Sequence, residues 1–190
     1  MLHVRIKRIL VTLATAALAV AGIQMASAAT AQADPAPNLA TVYYTAYGYQ
    51  SQSSQAAQIW NNAVPNLNMV SSSNGSIVIY ATTGGGSRAY PCGLGCATIY
   101  IDSQDVAAGH NALRIVSHEI GHGHRLPDNY NGNCAILMSG GSAGTSCTNP
   151  NPSAGEAATV NGYYGGFRSA AESEPVKSGV YDPSLVTVSR

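Results

Sequence analysis

The sequence predicts an α+β fold: a twisted mixed β-sheet packed on two long helices, with a third, short helix near the C-terminus. Two observations carry this. Segments rich in Tyr, Thr, Val and Ile, typical of strands, gather ahead of residue 103. Two stretches with apolar residues at helical spacing interrupt and follow them. No internal repeat is present.

Residues 40–49 alternate Thr and Tyr with β-branched residues and predict a strand. Ala56, Ile59, Trp60, Ala63 and Val64 recur at helical spacing, with Ser53 or Ser54 as N-cap and Pro65 as the stop. Residues 67–70 and 76–81 predict strands around a turn at Asn74-Gly75. That turn is the better reading of Asn74-Gly75-Ser76, which also matches a glycosylation acceptor. Gly84-Gly85-Gly86 marks a flexible loop. No Gly-Lys-Ser/Thr follows it, so no phosphate site is expected. Residues 90–96 read as a loop and 97–102 as a strand. Both are expected beside a cleft, where an extended peptide can add to a sheet edge. A helix is expected over 107–124. A loop rich in Gly, Ser, Asn and Pro then runs to Pro152. Ser153 opens the last helix, expected through Val160, with Glu156 completing a capping box.

The ends set the domain limits. Arg5, Lys7 and Arg8 precede the apolar run 9–21, and Ala26-Ser27-Ala28 offers a small-x-small cleavage site, with Ala31-Gln32-Ala33 as a second. Residues 1–28 are therefore expected to be a secretory signal peptide and 29–39 a short polar lead. Residues 40–166 form the domain, and 167–190 a flexible tail. This predicts an extracellular protein with no stable membrane association after signal removal.

Composition narrows the function. Without the signal's three basic residues, six Lys and Arg face nine Asp and Glu, and only 9% of the chain is charged. The basic residues are scattered, so no nucleic-acid partner is expected. Cys92, Cys96, Cys134 and Cys147 suit oxidising surroundings. Three pairings are possible; Cys92–Cys96 with Cys134–Cys147 is favoured because each closes a local loop. No Cys-x-x-Cys spacing supports a zinc knuckle.

The densest chemistry is His118-Glu119-Ile120-Gly121-His122. Four residues on a helix turn about 400° and rise about 6 Å, so both imidazoles face one way at a spacing that can hold one zinc ion. Leu113, Val116 and Ile120 give the helical spacing, and Leu126-Pro127-Asp128 stops the helix. Asp128 can supply a third ligand, leaving one position for water. Glu119, beside the first ligand, can take a proton from that water.

These residues, with Tyr130, Cys134, Leu137-Met138-Ser139-Gly140-Gly141 and Cys147-Thr148-Asn149-Pro150, resemble the snapalysin family. These are small secreted neutral metalloproteases of streptomycetes, within the metzincin clan. The likeness covers about residues 40–164 and includes Gln58-Ile59-Trp60-Asn61 in the first helix. It implies one catalytic Zn2+ held by His118, His122 and Asp128, and Glu119 as general base. It also implies Met138 as a Met-turn under the metal and Tyr130 as the tyrosine near it. It further implies hydrolysis of internal peptide bonds in proteins such as casein, with an aromatic residue favoured just after the cut. The expected partners are protein or peptide substrates, and the chain is expected to be a monomer.

Certain positions depart from the family or raise alternatives. The family has Gly three residues after the second His, where this chain has Arg125. Arg enters the left-handed conformation only at a cost. The alternative is a catalytically impaired zinc-binding protein on the same scaffold. His124 replaces an apolar residue and would point about 200° from His122 on a continuing helix, so it is not read as a ligand. The short lead has no cysteine with which to block zinc, so pro-segment latency is not expected. Gly140-Gly141-Ser142-Ala143-Gly144 spells a serine-hydrolase elbow, but no histidine follows Ser142. Asp102 and Asp105 could hold Ca2+, although caps are the commoner use of such carboxylates.

Overall fold

The computed structural model describes residues 39–165 and the pair Val180–Tyr181. The expected signal peptide, the lead up to Asn38 and the tail other than that pair lie outside the described residues. Strand β1 is Ala40–Ala46, followed by helix α1 (Gln50–Ala63), β2 (Leu67–Ser71), β3 (Ile77–Thr82), β4 (Ser87–Gly93) and β5 (Cys96–Asp102). Helices α2 (Ser103–Ala107) and α3 (Ala112–Gly123) come next, then a 3-10 segment (Leu137–Ala143), α4 (Ala154–Gly165) and β6 (Val180–Tyr181). No helix among the described residues is long and apolar enough to cross a membrane.

The sheet order is β2-β1-β3-β5-β4-β6. β1 pairs in parallel with β2 and β3, and β3 with β5, while β4 runs antiparallel to β5 and to β6. The strands alternate as half-buried strands must. Val42, Tyr44, Ile77, Ile79, Ile99 and Ile101 point to the helices and are buried. Their neighbours form an open row in which Tyr80 stacks on Tyr47 (5.2 Å) and on Tyr100 (5.6 Å). The buried face meets Trp60 of α1 and Ile115, Val116 and Ile120 of α3, and this core carries the site. Trp60 Nε1 donates to the Ser117 carbonyl at 3.1 Å, tying the two helices.

The mixed sheet on two helices is as the sequence predicts, but several local readings are corrected. The strands around Asn74-Gly75 do not pair with each other. They flank β1 on opposite sides, and the chain passes so close to the Tyr44 backbone that only glycine fits at position 75. Residues 90–93, expected as loop, extend β4; Pro91 is accommodated because its strand carries a register shift between Pro91 and Gly93. Helix α1 begins at Gln50, not after Ser53. Tyr49 caps it in the left-handed region (φ 51°), and the buried Ser53 hydroxyl instead donates back to the Tyr49 carbonyl at 2.9 Å. The helix expected over 107–124 is α3 alone and starts later, at Ala112; Ala107 ends the separate α2. Gly109 separates the two at φ 102°, and the Asn111 side chain caps α3 by accepting the Arg114 N–H at 2.9 Å.

The glycine loop, expected to be flexible, is held by hydrogen bonds to Asp102. Its three glycines have φ of 85°, 87° and 74°, and the Asp102 carboxylate accepts the N–H groups of Gly84, Gly86 and Gln104, each at 2.9 Å. Burial works to raise this carboxyl's pKa, but those amides and Arg88 outweigh it and lower it. Asp105 Oδ2 takes the N–H and hydroxyl of Ser87. Asp102 thus caps α2, while Asp105 anchors Ser87 of β4.

Both disulfides form as favoured, Cys92–Cys96 across the β4–β5 turn and Cys134–Cys147 in the loop after α3. The capping box also forms: Glu156 Oε2 accepts the Ser153 N–H at 2.6 Å, and Ser153 Oγ accepts the Glu156 N–H at 3.3 Å. Helix α4 continues past Val160 to Gly165, because Tyr164 is buried against α3.

Candidate metal centre

The last two turns of α3 carry His118, Glu119 and His122, all buried. The two rings are nearly perpendicular (86°), with centroids 4.8 Å apart. The helix then ends in a left-handed turn. Arg125 adopts φ 70°, the Leu126 N–H returns to the Gly121 carbonyl (3.0 Å) and the Arg125 N–H to His122 (2.9 Å). This is the Schellman pattern that glycine usually closes. Arg125 therefore makes the turn the family's glycine would make. Pro127 carries the chain outward, and Asp128 swings back over the helix end.

Asp128 Oδ1 lies 3.3 Å from both His118 Nε2 and His122 Nε2. The three side chains form a group whose ligand atoms lie within 4.8 Å of one another. The opposite ring nitrogens set the tautomers. His118 Nδ1 faces the Leu137 carbonyl at 3.1 Å and His122 Nδ1 faces the Leu126 carbonyl at 2.8 Å. A carbonyl only accepts, so each Nδ1 carries the hydrogen and each Nε2 offers a lone pair. His122 Nε2 and Asp128 Oδ1 are buried without a hydrogen-bond partner. Two imidazole nitrogens and one carboxylate oxygen are a donor set that zinc accepts, so the residues fit such an ion.

Burial pushes the Glu119 carboxyl up to about 8, with Asp128 adding to the rise and His122 opposing it. Both Glu119 oxygens are buried and make no hydrogen bond. Burial would also raise Asp128, but the two imidazoles outweigh it and hold the carboxyl well below the usual carboxylate range. For His122, burial opposes protonation, yet Asp128 and Glu119 outweigh it and raise the pKa; for His118 burial wins and lowers it.

Met138 lies under the helix. A methyl group built on Gly121 would stand 2.7 Å from Met138 Sδ, so Gly121 lets the thioether approach the backbone between the two histidines. The Met138 carbonyl accepts the Asn129 N–H at 2.7 Å, which anchors the chain just beyond Asp128. Tyr130 is 38% exposed. Gly140 separates it from the site: a methyl group there would meet Tyr130 Cε1 at 3.0 Å and His118 Cε1 at 3.1 Å. Tyr130 is thus a neighbour of the cluster, at its open side.

Two other sequence features are placed away from the chemistry. Ser142 gives its hydroxyl hydrogen to the Ser139 carbonyl and accepts the Gly132 N–H, inside a 3-10 segment. It has no strand-to-helix elbow, so the serine-hydrolase alternative fails. His124 is fully buried, edge-on to Trp60 (5.1 Å), with Nδ1 2.8 Å from the Tyr164 hydroxyl. It stands outside the group formed by His118, His122 and Asp128, and burial pushes its pKa down to about 3.

Sequence reasoning missed Arg114, one turn before His118. It is buried, and its guanidinium donates to the backbone of the loop that holds Met138, including the Leu137 carbonyl at 3.3 Å. Its partners are backbone atoms far along the chain, and no residue pattern announces such contacts.

Proteins named extracellular small neutral protease are similar to this chain. The one from Streptomyces lividans is 40% identical over 138 residues, covering 70% of this chain and 60% of its own length. The one from Streptomyces caespitosus is 40% identical over 114 residues, covering 60% of this chain and 86% of its own. The one from Streptomyces sp. (strain C5) is 38% identical over 144 residues, covering 73% and 62% respectively. This chain therefore spans under two thirds of the lividans relative's length. A solved structure of myroilysin aligns with 50% of this chain and 58% of its own, at 24% identity and a TM-score of 0.33. The family model for the Streptomyces extracellular neutral proteinases matches residues 39–166. That match runs from the start of the sheet to the end of α4 and so encloses the whole cluster: the chain belongs to the Streptomyces extracellular neutral proteinase (M7) family.

Proposed function

We propose that this chain is a secreted zinc-dependent endopeptidase that hydrolyses internal peptide bonds of extracellular proteins. The observation that carries the reading is the convergence of His118 Nε2, His122 Nε2 and Asp128 Oδ1 beside a buried carboxyl, in a member of a proteinase family. His118, His122 and Asp128 would hold the ion. When bound, zinc supplies Lewis acidity that polarises the scissile carbonyl and makes the attacking water more acidic.

The protein's own groups do the rest. Glu119, ionised by the nearby cation despite its burial, takes the water proton and hands it to the leaving amine. Its freedom from hydrogen bonds leaves both oxygens available for that exchange. The Tyr130 hydroxyl donates to the oxyanion of the tetrahedral intermediate, a role supported by its place across Gly140 from His118. Met138 supports the two-histidine turn from beneath by packing. Antiparallel β4 lies near the outer margin of the sheet, where backbone pairing with an extended substrate is possible. An aromatic residue after the cut bond is the favoured substrate feature, on the strength of the snapalysin likeness. That these relatives are named extracellular proteases supports secretion.

The alternative, a zinc-binding protein impaired by Arg125, is disfavoured because the turn closes and Asp128 reaches both imidazoles. The test is casein hydrolysis by the secreted protein with and without a zinc chelator, with Glu119→Ala as control. Chelator-sensitive cleavage that the variant lacks is the expected outcome. A folded protein that carries one zinc but cleaves nothing would replace this reading with the impaired one.

A further inference from the structure

The loop bearing Met138 is held from two sides by opposite charges. On one side, the Arg114 guanidinium donates to the carbonyls of Asn149 (2.6 Å), Ile136 (2.9 Å), Leu137 (3.3 Å) and Cys134 (3.4 Å), and to Ser139 Oγ (3.0 Å). On the other, Glu156 reaches out of the first turn of α4. Its Oε1 accepts the Met138 N–H (2.8 Å), and its Oε2 accepts those of Leu137 (3.1 Å) and Ser153 (2.6 Å). Loop acceptors face the cation and loop donors face the anion, which satisfies both charges with charge-assisted bonds.

The peptide groups gripped in this way flank Leu137, whose carbonyl receives the His118 Nδ1–H. A helix cap requires only the bond to Ser153. Oε1 makes no bond within α4 and is committed to Met138. We propose that Glu156 is a positioning residue for His118: by seating residues 137 and 138 it orients the carbonyl that sets the ring's tautomer and aim. This rests on the reading that His118 binds a metal. Groups that orient a ligand typically change metal affinity 10–100-fold, and Glu156 acts one peptide group further out, so about tenfold is expected.

The test measures the zinc dissociation constant of the full chain by competition with a chromogenic chelator. Glu156→Gln keeps one acceptor but turns an amide N–H toward the other backbone donor. Ser153→Ala is the control, because it removes the other half of the capping box (3.3 Å) and leaves the loop bonds intact. We expect zinc to bind about tenfold more weakly to Glu156→Gln and unchanged to Ser153→Ala. The visible bands of the Co2+-loaded Glu156→Gln protein should shift as the ligand geometry changes. Should that variant not fold, Glu156→Asp carries the test, since it keeps the charge but is too short to reach from α4 to both amides. Equal zinc affinity in a folded Glu156 variant would overturn the proposal. So would a loss in Ser153→Ala as large as in Glu156→Gln, which would trace the effect to helix stability. Absence of zinc binding by the unmodified chain would instead overturn the metal-centre reading on which the proposal stands.

Discussion

Gly121→Ala sets two effects of known size against each other at the centre of the site. In a helix interior, Ala is favoured over Gly by about 1 kcal/mol. Against that gain, the new Cβ would stand 2.7 Å from Met138 Sδ, 3.3 Å from Trp60 Cζ2 and 3.4 Å from Met138 Cε. Comfortable contacts lie near about 3.5–4.0 Å, so Met138 must retreat by roughly 1 Å. Trp60 cannot yield, being fully buried and hydrogen-bonded to Ser117. Methionine is adaptable, but this one is 1% exposed in a packed interior. Overpacking of this kind costs about 1–3 kcal/mol, which exceeds the propensity gain and leaves a net loss of about 1 kcal/mol. For a domain of this size that lowers Tm by about 3–5 °C. The assay is thermal unfolding of the single variants and of the Gly121→Ala/Met138→Ala double variant. In the Met138→Ala background the overlap with the thioether is gone, so Gly121→Ala should be neutral or stabilising there. The reasoning is refuted if Gly121→Ala raises Tm in the unmodified protein, or if it costs as much without the Met138 side chain as with it.

Further expectations concern the helix end and its surroundings. Arg125→Gly relieves a left-handed residue at φ 70°. It should stabilise by about 0.5–1 kcal/mol, since the relief of about 1–2 kcal/mol exceeds the backbone entropy glycine adds; a drop in urea midpoint would contradict this. His124 is held neutral, with a folded pKa of about 3 against an unfolded value near about 6.5. The unfolded chain therefore binds the proton first. Stability from this group is complete above pH 6.5 and is lost as pH falls toward 3, by about 1 kcal/mol per pH unit. His124→Gln, which does not titrate, should flatten that part of the stability–pH curve; parallel curves for the two proteins would count against the assignment.

How much could be read from the sequence depended on how local each feature is. The candidate site was legible because His118 and His122 share one helical face, Glu119 stands beside the first of them, and Asp128 follows within the same stretch. The capping box at Ser153 and Glu156 was legible for the same reason. The strand order was not: β2 and β3 look like consecutive strands, and nothing near Asn74-Gly75 shows that β1 lies between them. β4 was hidden by Pro91, which ordinarily argues against a strand. The break before α3 was written in Gly109 and Asn111 but masked by apolar spacing on either side. Arg114 and the second role of Glu156 were invisible, because both bind backbone groups brought near only by the fold.

The candidate ligands His118, His122 and Asp128 all lie within one short stretch of chain, whereas parallel partners such as β1 and β3 are separated by a helix and a strand. Closing a ring through a metal costs chain entropy that grows with the length of the loop. In this chain that loop is short and already curled by the turn at Arg125. A metal ring here would be a low-contact-order element set within a sheet of higher contact order, so the strands are expected to set the slow step of folding. The candidate site is a local knot of residues, and the loop beside it is gripped by Arg114 and Glu156 from distant parts of the chain.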